Sequence, residues 1–333
     1  MRDRFRAFVV EEHNGAHAGA VTEIGPERLP PGDVTIEVEF SSLNYKDALA
    51  ARGLNKVAAR YPHVPGIDAV GRVLESATAE LKAGDPVLVT GFDLGAGVFG
   101  GYAEYIRVPA DWVVPLPAGL SPFEAMALGT AGFTAAMALL AMERNGQRPD
   151  QGPILVTGAT GGVGSLAVNI LSGAGYTVAA ATGKAEAHDF LRRLGAGQVL
   201  DRAAVTLDEP RPRPMLKSLW AGAVDTVGGP TLSYLIRSTQ THGNIAACGL
   251  VGGTEFAGTV IPFLLRGVNL LGIDSAFCPR PYRDEVWRRL ATDLKPRRLG
   301  EIVHQIGLAD LPNSIEAILQ GRVQGRRVVG IKG

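Results

Sequence analysis

At 333 residues the chain exceeds the ~250–300 at which one hydrophobic core stops growing, so two domains are expected. Hydrophobic residues make up 46% and charged residues 20%, an ordinary globular composition, and 33 Lys and Arg balance 33 Asp and Glu. That balance lacks the basic excess of proteins that wrap a nucleic-acid backbone, so no nucleic-acid partner is expected.

Met1-Arg2-Asp3-Arg4-Phe5-Arg6 runs into Ala7-Phe8-Val9-Val10 and then Glu11-Glu12, an apolar run too short for a secretion signal and suited to a first strand. The two cysteines, Cys248 and Cys278, form no paired framework. No uninterrupted apolar stretch approaches ~18 residues, so no membrane span is expected and the address is cytoplasmic. Up to about residue 120 the chain reads as β-rich: 34–40 alternates apolar and polar, Gly84-Asp85-Pro86 turns into 87–90, and 102–108 alternates again.

Ser121-Pro122-Phe123-Glu124 is a capping box with proline at the first helical position. The helix it starts runs through Leu128, breaks at Gly129 and resumes to Met142. Strands at 154–157, 177–181 and 198–200 then alternate with helices at 164–173 and 185–194, and further strands fall at 223–226, 244–248 and 270–273. This alternation predicts an α/β fold with a doubly wound parallel sheet. Helices at 282–290 and 314–319 and a strand at 328–331 complete the chain.

Ile154-Leu155-Val156-Thr157-Gly158-Ala159-Thr160-Gly161-Gly162-Val163-Gly164 leads a buried strand through three spaced glycines into an apolar helix. Such glycines allow a tight turn and close approach to a pyrophosphate, which the helix N-terminus then meets with free N–H donors. The spacing is G-x-x-G-x-x-G, not the commoner G-x-G-x-x-G, and a purely structural turn would share it. The strand–turn–helix context favours a dinucleotide site, with Thr160, Gly161, Gly162 and Val163 as its phosphate contacts.

The next strand ends Ala181-Thr182-Gly183-Lys184, without the acid that binds an NAD ribose. A hydroxyl, a glycine and a cation suit the 2′-phosphate of NADPH, with Arg202 as a second cation, against the alternative of two solvated surface charges.

The order of parts resembles the medium-chain dehydrogenase/reductase superfamily. Within it, the zinc-free acrylyl-CoA reductase and quinone oxidoreductase branch is the most similar. The likeness rests on 41–50 (Ser41-Ser42-Leu43-Asn44-Tyr45-Lys46-Asp47 and onward), Pro65-Gly66-Ile67-Asp68, 129–135, Asp225-Thr226-Val227-Gly228 and Pro262-Phe263-Leu264-Leu265-Arg266. The resemblance implies a β-rich GroES-like catalytic domain formed by 1–125 and 276–333, interrupted by a Rossmann domain at 126–275. It implies Asn44 and Asp47 at the substrate, Tyr45 beside the nicotinamide, backbone contacts to the cofactor at Leu250 and Ser275, and a homodimer.

Zinc-dependent relatives carry Cys at the place of Asn44, a His-Glu pair at Ile67-Asp68 and a second Cys near Ala131, so no metal is expected here. Asp47 also reads as a cap for a helix beginning at Ala48. Cys248 reads as a buried small residue. Arg280, Arg283, Arg288 and Arg289 read as a solvated helix face or as contacts to CoA phosphates, and Arg326 and Arg327 as the substrate mouth or a strand flank. The implied activity is NADPH-dependent reduction of the C=C bond of a short α,β-unsaturated acyl-CoA. The alternatives are NADPH-dependent quinone reduction and a non-catalytic NADPH-binding redox sensor.

Overall fold

In the computed structural model, which describes residues 1–207 and 213–332, the chain divides into two units. The first comprises Met1–Thr130, Ala276–Glu285 and Val303–Gly333, and the second Ala131–Ser275 and Val286–Ile302. The expected division fell five residues earlier, at 125/126, and gave all of 276–333 to the first unit. The stretch 286–302 instead packs with the second unit. Trp287 lies 5.8 Å from the Phe133 ring, Arg298 N donates to Asn169 Oδ1 (3.0 Å) and Arg193 pairs with Glu301 (3.0 Å).

The first unit is built on a sheet in the order Val303–Gly307, Arg326–Gly330, Val34–Leu43, Asp68–Ser76, Pro86–Thr90 and Val114–Pro115, with Tyr105–Val108 also pairing on Val34–Leu43. A separate antiparallel pair, Phe5–His13 and Ala16–Ile24, contributes Phe5, Phe8 and Val10 to the same core. Strand Val34–Leu43 shows the expected alternation only in part, because other strands pair along it on both sides and most of its residues are buried.

In the second unit all six strands are parallel, in the order Ala196–Asp201, Val178–Thr182, Ile154–Val156, Trp220–Asp225, Thr239–Ala247 and Asn269–Gly272. By sequence rank this is 3-2-1-4-5-6, the doubly wound dinucleotide-binding order. The expected helix over 185–194 is shorter: a 3-10 turn, Ala185–Ala187, precedes helix His188–Arg193.

The helix Pro122–Arg144 starts as its capping box dictates: Ser121 N donates to Glu124 Oε2 (2.9 Å) and Glu124 N to Ser121 Oγ (3.2 Å). It is long and apolar enough by composition to cross a membrane, which the count of uninterrupted apolar residues had excluded. However, 89% of its most apolar stretch is buried, as in a core helix. It breaks where expected, at Gly129 (φ 50°, ψ −155°).

A methyl group on Gly129 would lie 2.5 Å from Asp68 Oδ2, 2.8 Å from Arg326 Nη2 and 2.9 Å from Ser42 Oγ. The left-handed backbone alone costs a side-chain-bearing residue about 1–3 kcal/mol. Gly129→Ala should therefore lower the melting temperature steeply, whereas Gly300→Ala, whose new methyl meets nothing within 4 Å, should leave it nearly unchanged. Equal melting temperatures for the two variants would contradict this.

Candidate active site

In the first unit, strand Val34–Leu43 delivers the chain directly into helix Tyr45–Ala51, with Asn44 as N-cap. The helix thus begins three residues before the expected Ala48, and Asp47 is its third residue. Asp47 Oδ2 accepts the Asn44 backbone N–H (2.8 Å), the reciprocal half of a capping box, while Oδ1 accepts Gly66 N (3.1 Å) and Ile67 N (2.8 Å). The cap reading of Asp47 is therefore right in kind and displaced in register. With no solvent exposure and both oxygens engaged, Asp47 holds two chain segments together.

Around it lies a closed polar network. Asp68, fully buried, accepts from Ser42 Oγ (2.6 Å), Asn44 Nδ2 (2.9 Å), Thr130 N (2.9 Å) and Thr130 Oγ1 (2.5 Å). Arg326, 2% exposed, stands 4.0 Å from Asp68 and donates to Ala127 O (3.1 Å), Leu43 O (3.1 Å), Asn44 Oδ1 (3.0 Å) and Ser42 Oγ (2.8 Å). Tyr102 donates to Ser42 O (3.1 Å).

The two amide hydrogens of Asn44 are spent on Asp68 and Asp47 (3.1 Å), and its oxygen on Arg326. The half-buried side chains of Tyr45 and Lys46 are the polar groups of this turn that have no hydrogen-bond or ion-pair partner among the described residues. Arg326 is buried inside the network, so it neither lines an open mouth nor merely flanks a strand. Arg283 is likewise fully buried, not solvated, donating to Thr90 O (2.7 Å) and Ala276 O (3.0 Å) with its guanidinium 4.3 Å from the Phe92 ring centre.

Burial, reinforced by the Asp68 charge, pushes the Asp47 carboxyl up to about 6. The same burial raises the Tyr102 phenol, with both aspartates adding to it, and works against the Arg326 charge, which Asp68 and Asp47 favour.

In the second unit the glycine turn joins strand Ile154–Val156 to helix Gly162–Gly173, with Gly161 as N-cap. Gly158 (φ 56°) has no room for a side chain because Thr226 Oγ1 lies against it, and Gly164 presses on the Gly158 carbonyl. The helix's first amides, from Gly162, Val163 and Gly164, have no intrahelical acceptor, as at any helix start. Thr160 and Thr182 hydroxyls meet at 3.3 Å, Lys184 N donates to Thr182 Oγ1 (3.1 Å), and the Arg202 guanidinium lies over Gly183.

The fold thus brings Thr160, Gly161, Gly162, Val163, Thr182, Gly183, Lys184 and Arg202 to one end of the sheet. That is the C-terminal end of its strands, where open α/β sheets bind ligands. Leu250, 49% exposed, and Ser275, whose Oγ accepts from Thr134 Oγ1 (2.8 Å), follow strands Thr239–Ala247 and Asn269–Gly272 at that same end. These features fit a dinucleotide: a cradle without side chains, a helix start, and two cations.

A carboxylate braces this turn. Asp225 accepts from Thr157 Oγ1 (2.6 Å), Val227 N (3.1 Å) and Gly228 N (3.0 Å). Its signal was present in Asp225-Thr226-Val227-Gly228. Cys248, expected to be buried, is intermediate in exposure; desolvation of its thiol, then the Asp225 charge, raises it to about 12, which leaves it inert.

Two family descriptions match the chain: an alcohol dehydrogenase GroES-like domain over residues 30–118 and a zinc-binding dehydrogenase over residues 162–292. The chain is 46% identical over 329 residues to the acrylyl-CoA reductase AcuI of Ruegeria pomeroyi, covering 98% of this chain and 99% of that one. It is 45% identical over 330 residues to the putative quinone oxidoreductase YhfP of Bacillus subtilis, covering 99% of each. The crystal structure of YhfP with NAD bound matches with a TM-score of 0.95 over 99% of this chain and all of that one. That of YhdH from Salmonella enterica in complex with NADP, 45% identical, also matches with a TM-score of 0.95, over 98% of this chain and all of that one.

Zinc, named in the second description, does not fit the residues present. The carboxamide of Asn44 and the side chain of Ile67 cannot replace thiolate and imidazole, and the cluster already holds its own cation, Arg326. Among the described residues no three His, Cys, Asp or Glu side chains gather into a ligand set.

The raised Asp47 carboxyl sets a pH dependence. The folded state holds this proton more tightly than the unfolded chain. The term therefore favours folding fully below the ordinary value of 3.8 and is lost as pH rises through about 6. It amounts to roughly 3 kcal/mol between acid and neutral pH. Asp47→Asn should flatten this part of the fall in melting temperature between about pH 4 and 6. A variant that falls as steeply as its parent would contradict the assignment.

Proposed function

The chain belongs to the medium-chain dehydrogenase/reductase superfamily, and from that membership we propose that it is an NADPH-dependent oxidoreductase. Its reaction is reduction of the C=C bond of a short α,β-unsaturated acyl-CoA, acrylyl-CoA to propionyl-CoA. The observation that carries this reading is a polar network whose buried cation, among the described residues, is Arg326, in a chain 46% identical to an acrylyl-CoA reductase. Simple alcohol oxidation in this fold leans on a metal Lewis acid, whereas an alkene conjugated to a thioester is already electron-poor.

When bound, NADPH supplies the hydride that adds to the β-carbon of the alkene. Negative charge would then build on the thioester oxygen, and the α-carbon would take up a proton from solvent. Gly161, whose own N–H is taken by Gly158 O (2.9 Å), caps the helix, and Gly162 and Val163 would offer backbone donors to the pyrophosphate; Lys184 and Arg202 would meet the 2′-phosphate, with Thr182 bracing the loop between them. Leu250 and Ser275 support the nicotinamide half. Asn44 and Asp47 fix the turn. Tyr45 and Lys46 are the polar side chains of the turn left to meet a ligand.

The second reading, quinone reduction, is supported by the YhfP relative and uses the same cofactor residues. We also read the protein as a cytoplasmic homodimer. The edge strand Asn269–Gly272 has no partner on its outer side among the described residues and exposes Leu270, with Leu264 and Leu265 also exposed nearby in sequence.

A single charge-assisted contact to the 2′-phosphate contributes ~1.5–3 kcal/mol. Lys184→Ala and Arg202→Ala should each weaken NADPH about ten- to a hundredfold in a fluorescence titration and leave NADH nearly unchanged. Parent affinities equal for both cofactors would remove the 2′-phosphate site. Substrate choice is checked by following NADPH oxidation with acrylyl-CoA, crotonyl-CoA and a quinone panel in parallel. Acrylyl-CoA should give the highest kcat/KM, and turnover of quinones alone would transfer the case to the second reading.

A further inference from the structure

We propose that Asp68 and Arg326 are positioning residues of the reduction, a buried ion pair that sets the orientation of Asn44 and so of the Tyr45–Lys46 helix start. The proposal rests on the oxidoreductase reading above. Neither side chain reaches solvent, so neither touches substrate. Their effect passes through Asn44, which is held from two sides: its oxygen faces Arg326 Nη1 (3.0 Å) and its nitrogen faces Asp68 Oδ2 (2.9 Å). Turning the amide over would set N–H against guanidinium and oxygen against carboxylate, so one orientation is enforced. The next two residues, Tyr45 and Lys46, carry the polar side chains of the turn that have no partner among the described residues.

Stability alone does not account for this arrangement. A buried ion pair is often no more stabilising than apolar residues of the same volume, although breaking it by removing one partner is strongly destabilising. This pair also dictates its surroundings. Thr130 gives Asp68 both its backbone N–H and its hydroxyl, and Gly129 must lack a side chain for that contact to form. The guanidinium suits the task because its fixed fork reaches Asn44, Ser42 and two backbone carbonyls at once, which an ammonium could not do.

The test separates geometry from scaffolding. Asp68→Asn, Arg326→Met, the double variant and Asp68→Glu are compared for melting temperature, NADPH affinity, kcat and KM. The single neutral variants should lose stability and about a hundredfold in kcat, the usual effect of an ångström of misplacement, with KM and NADPH affinity within about threefold of the parent. The double variant, with neither charge left alone, should regain most of the melting temperature while kcat stays about a hundredfold low.

Asp68→Glu keeps the charge and lengthens the side chain; it should fold and still show reduced kcat at unchanged KM. A double variant that regains both stability and kcat, or an Asp68→Glu enzyme with parental turnover, would overturn the proposal. The series uses whichever acceptor the parent reduces. A parent that ignores acrylyl-CoA but turns over a quinone therefore counts against the substrate reading and leaves this one to be judged on the quinone.

Discussion

A carboxylate sealed from solvent must be given partners, and in this chain that requirement falls on Asp68. An unpaired buried charge costs several kcal/mol even after relaxation. Asp68 escapes that cost through four hydrogen bonds from Ser42, Asn44 and Thr130 and the nearby guanidinium of Arg326. Much of the first unit follows from this. The helix Pro122–Arg144 has to break at Gly129 so that Thr130 N can turn inward, and the chain has to return at its end so that strand Arg326–Gly330 can deliver the arginine beside Val34–Leu43.

A site organised around a buried arginine differs in its chemistry from one organised around a metal. Zinc polarises a bound oxygen as a Lewis acid; a guanidinium whose donors are already committed to Asn44, Ser42 and backbone carbonyls holds geometry instead. Such a centre suits a substrate that arrives activated by its own conjugation. The second unit is organised independently. There Asp225 ties Thr157 to Val227 and Gly228, fixing the ends of two adjacent parallel strands next to the glycine turn.

Much of this was legible in the sequence, for identifiable reasons. The α/β alternation, the glycine turn and the Thr182-Gly183-Lys184 strand end are local patterns, and they emerge at one end of the six-stranded sheet. The break at Gly129 was visible because glycine interrupts an otherwise apolar helical run. What escaped were relations between distant segments. Arg326 meets Asn44 across 282 positions, and nothing in the composition near 326 marks it as buried. Asp47 read equally as a cap or as a substrate residue because its exposure depends on the amides of Gly66 and Ile67, 19 and 20 residues away. Arg283 followed the same rule: its helical spacing matched a solvated face, and only the fold shows Phe92 and Thr90 enclosing it.

The central claim is a two-electron hydride transfer to the β-carbon of an enoyl thioester at a site that works through protein charges. The most direct measurement uses NADPH deuterated at the transferring position, with chelator-treated enzyme and acrylyl-CoA, and mass analysis of the thioester product. The account predicts propionyl-CoA with one deuterium at carbon 3 and a solvent-derived proton at carbon 2. Product without deuterium at carbon 3, or turnover that disappears with chelator and returns with zinc, would contradict it.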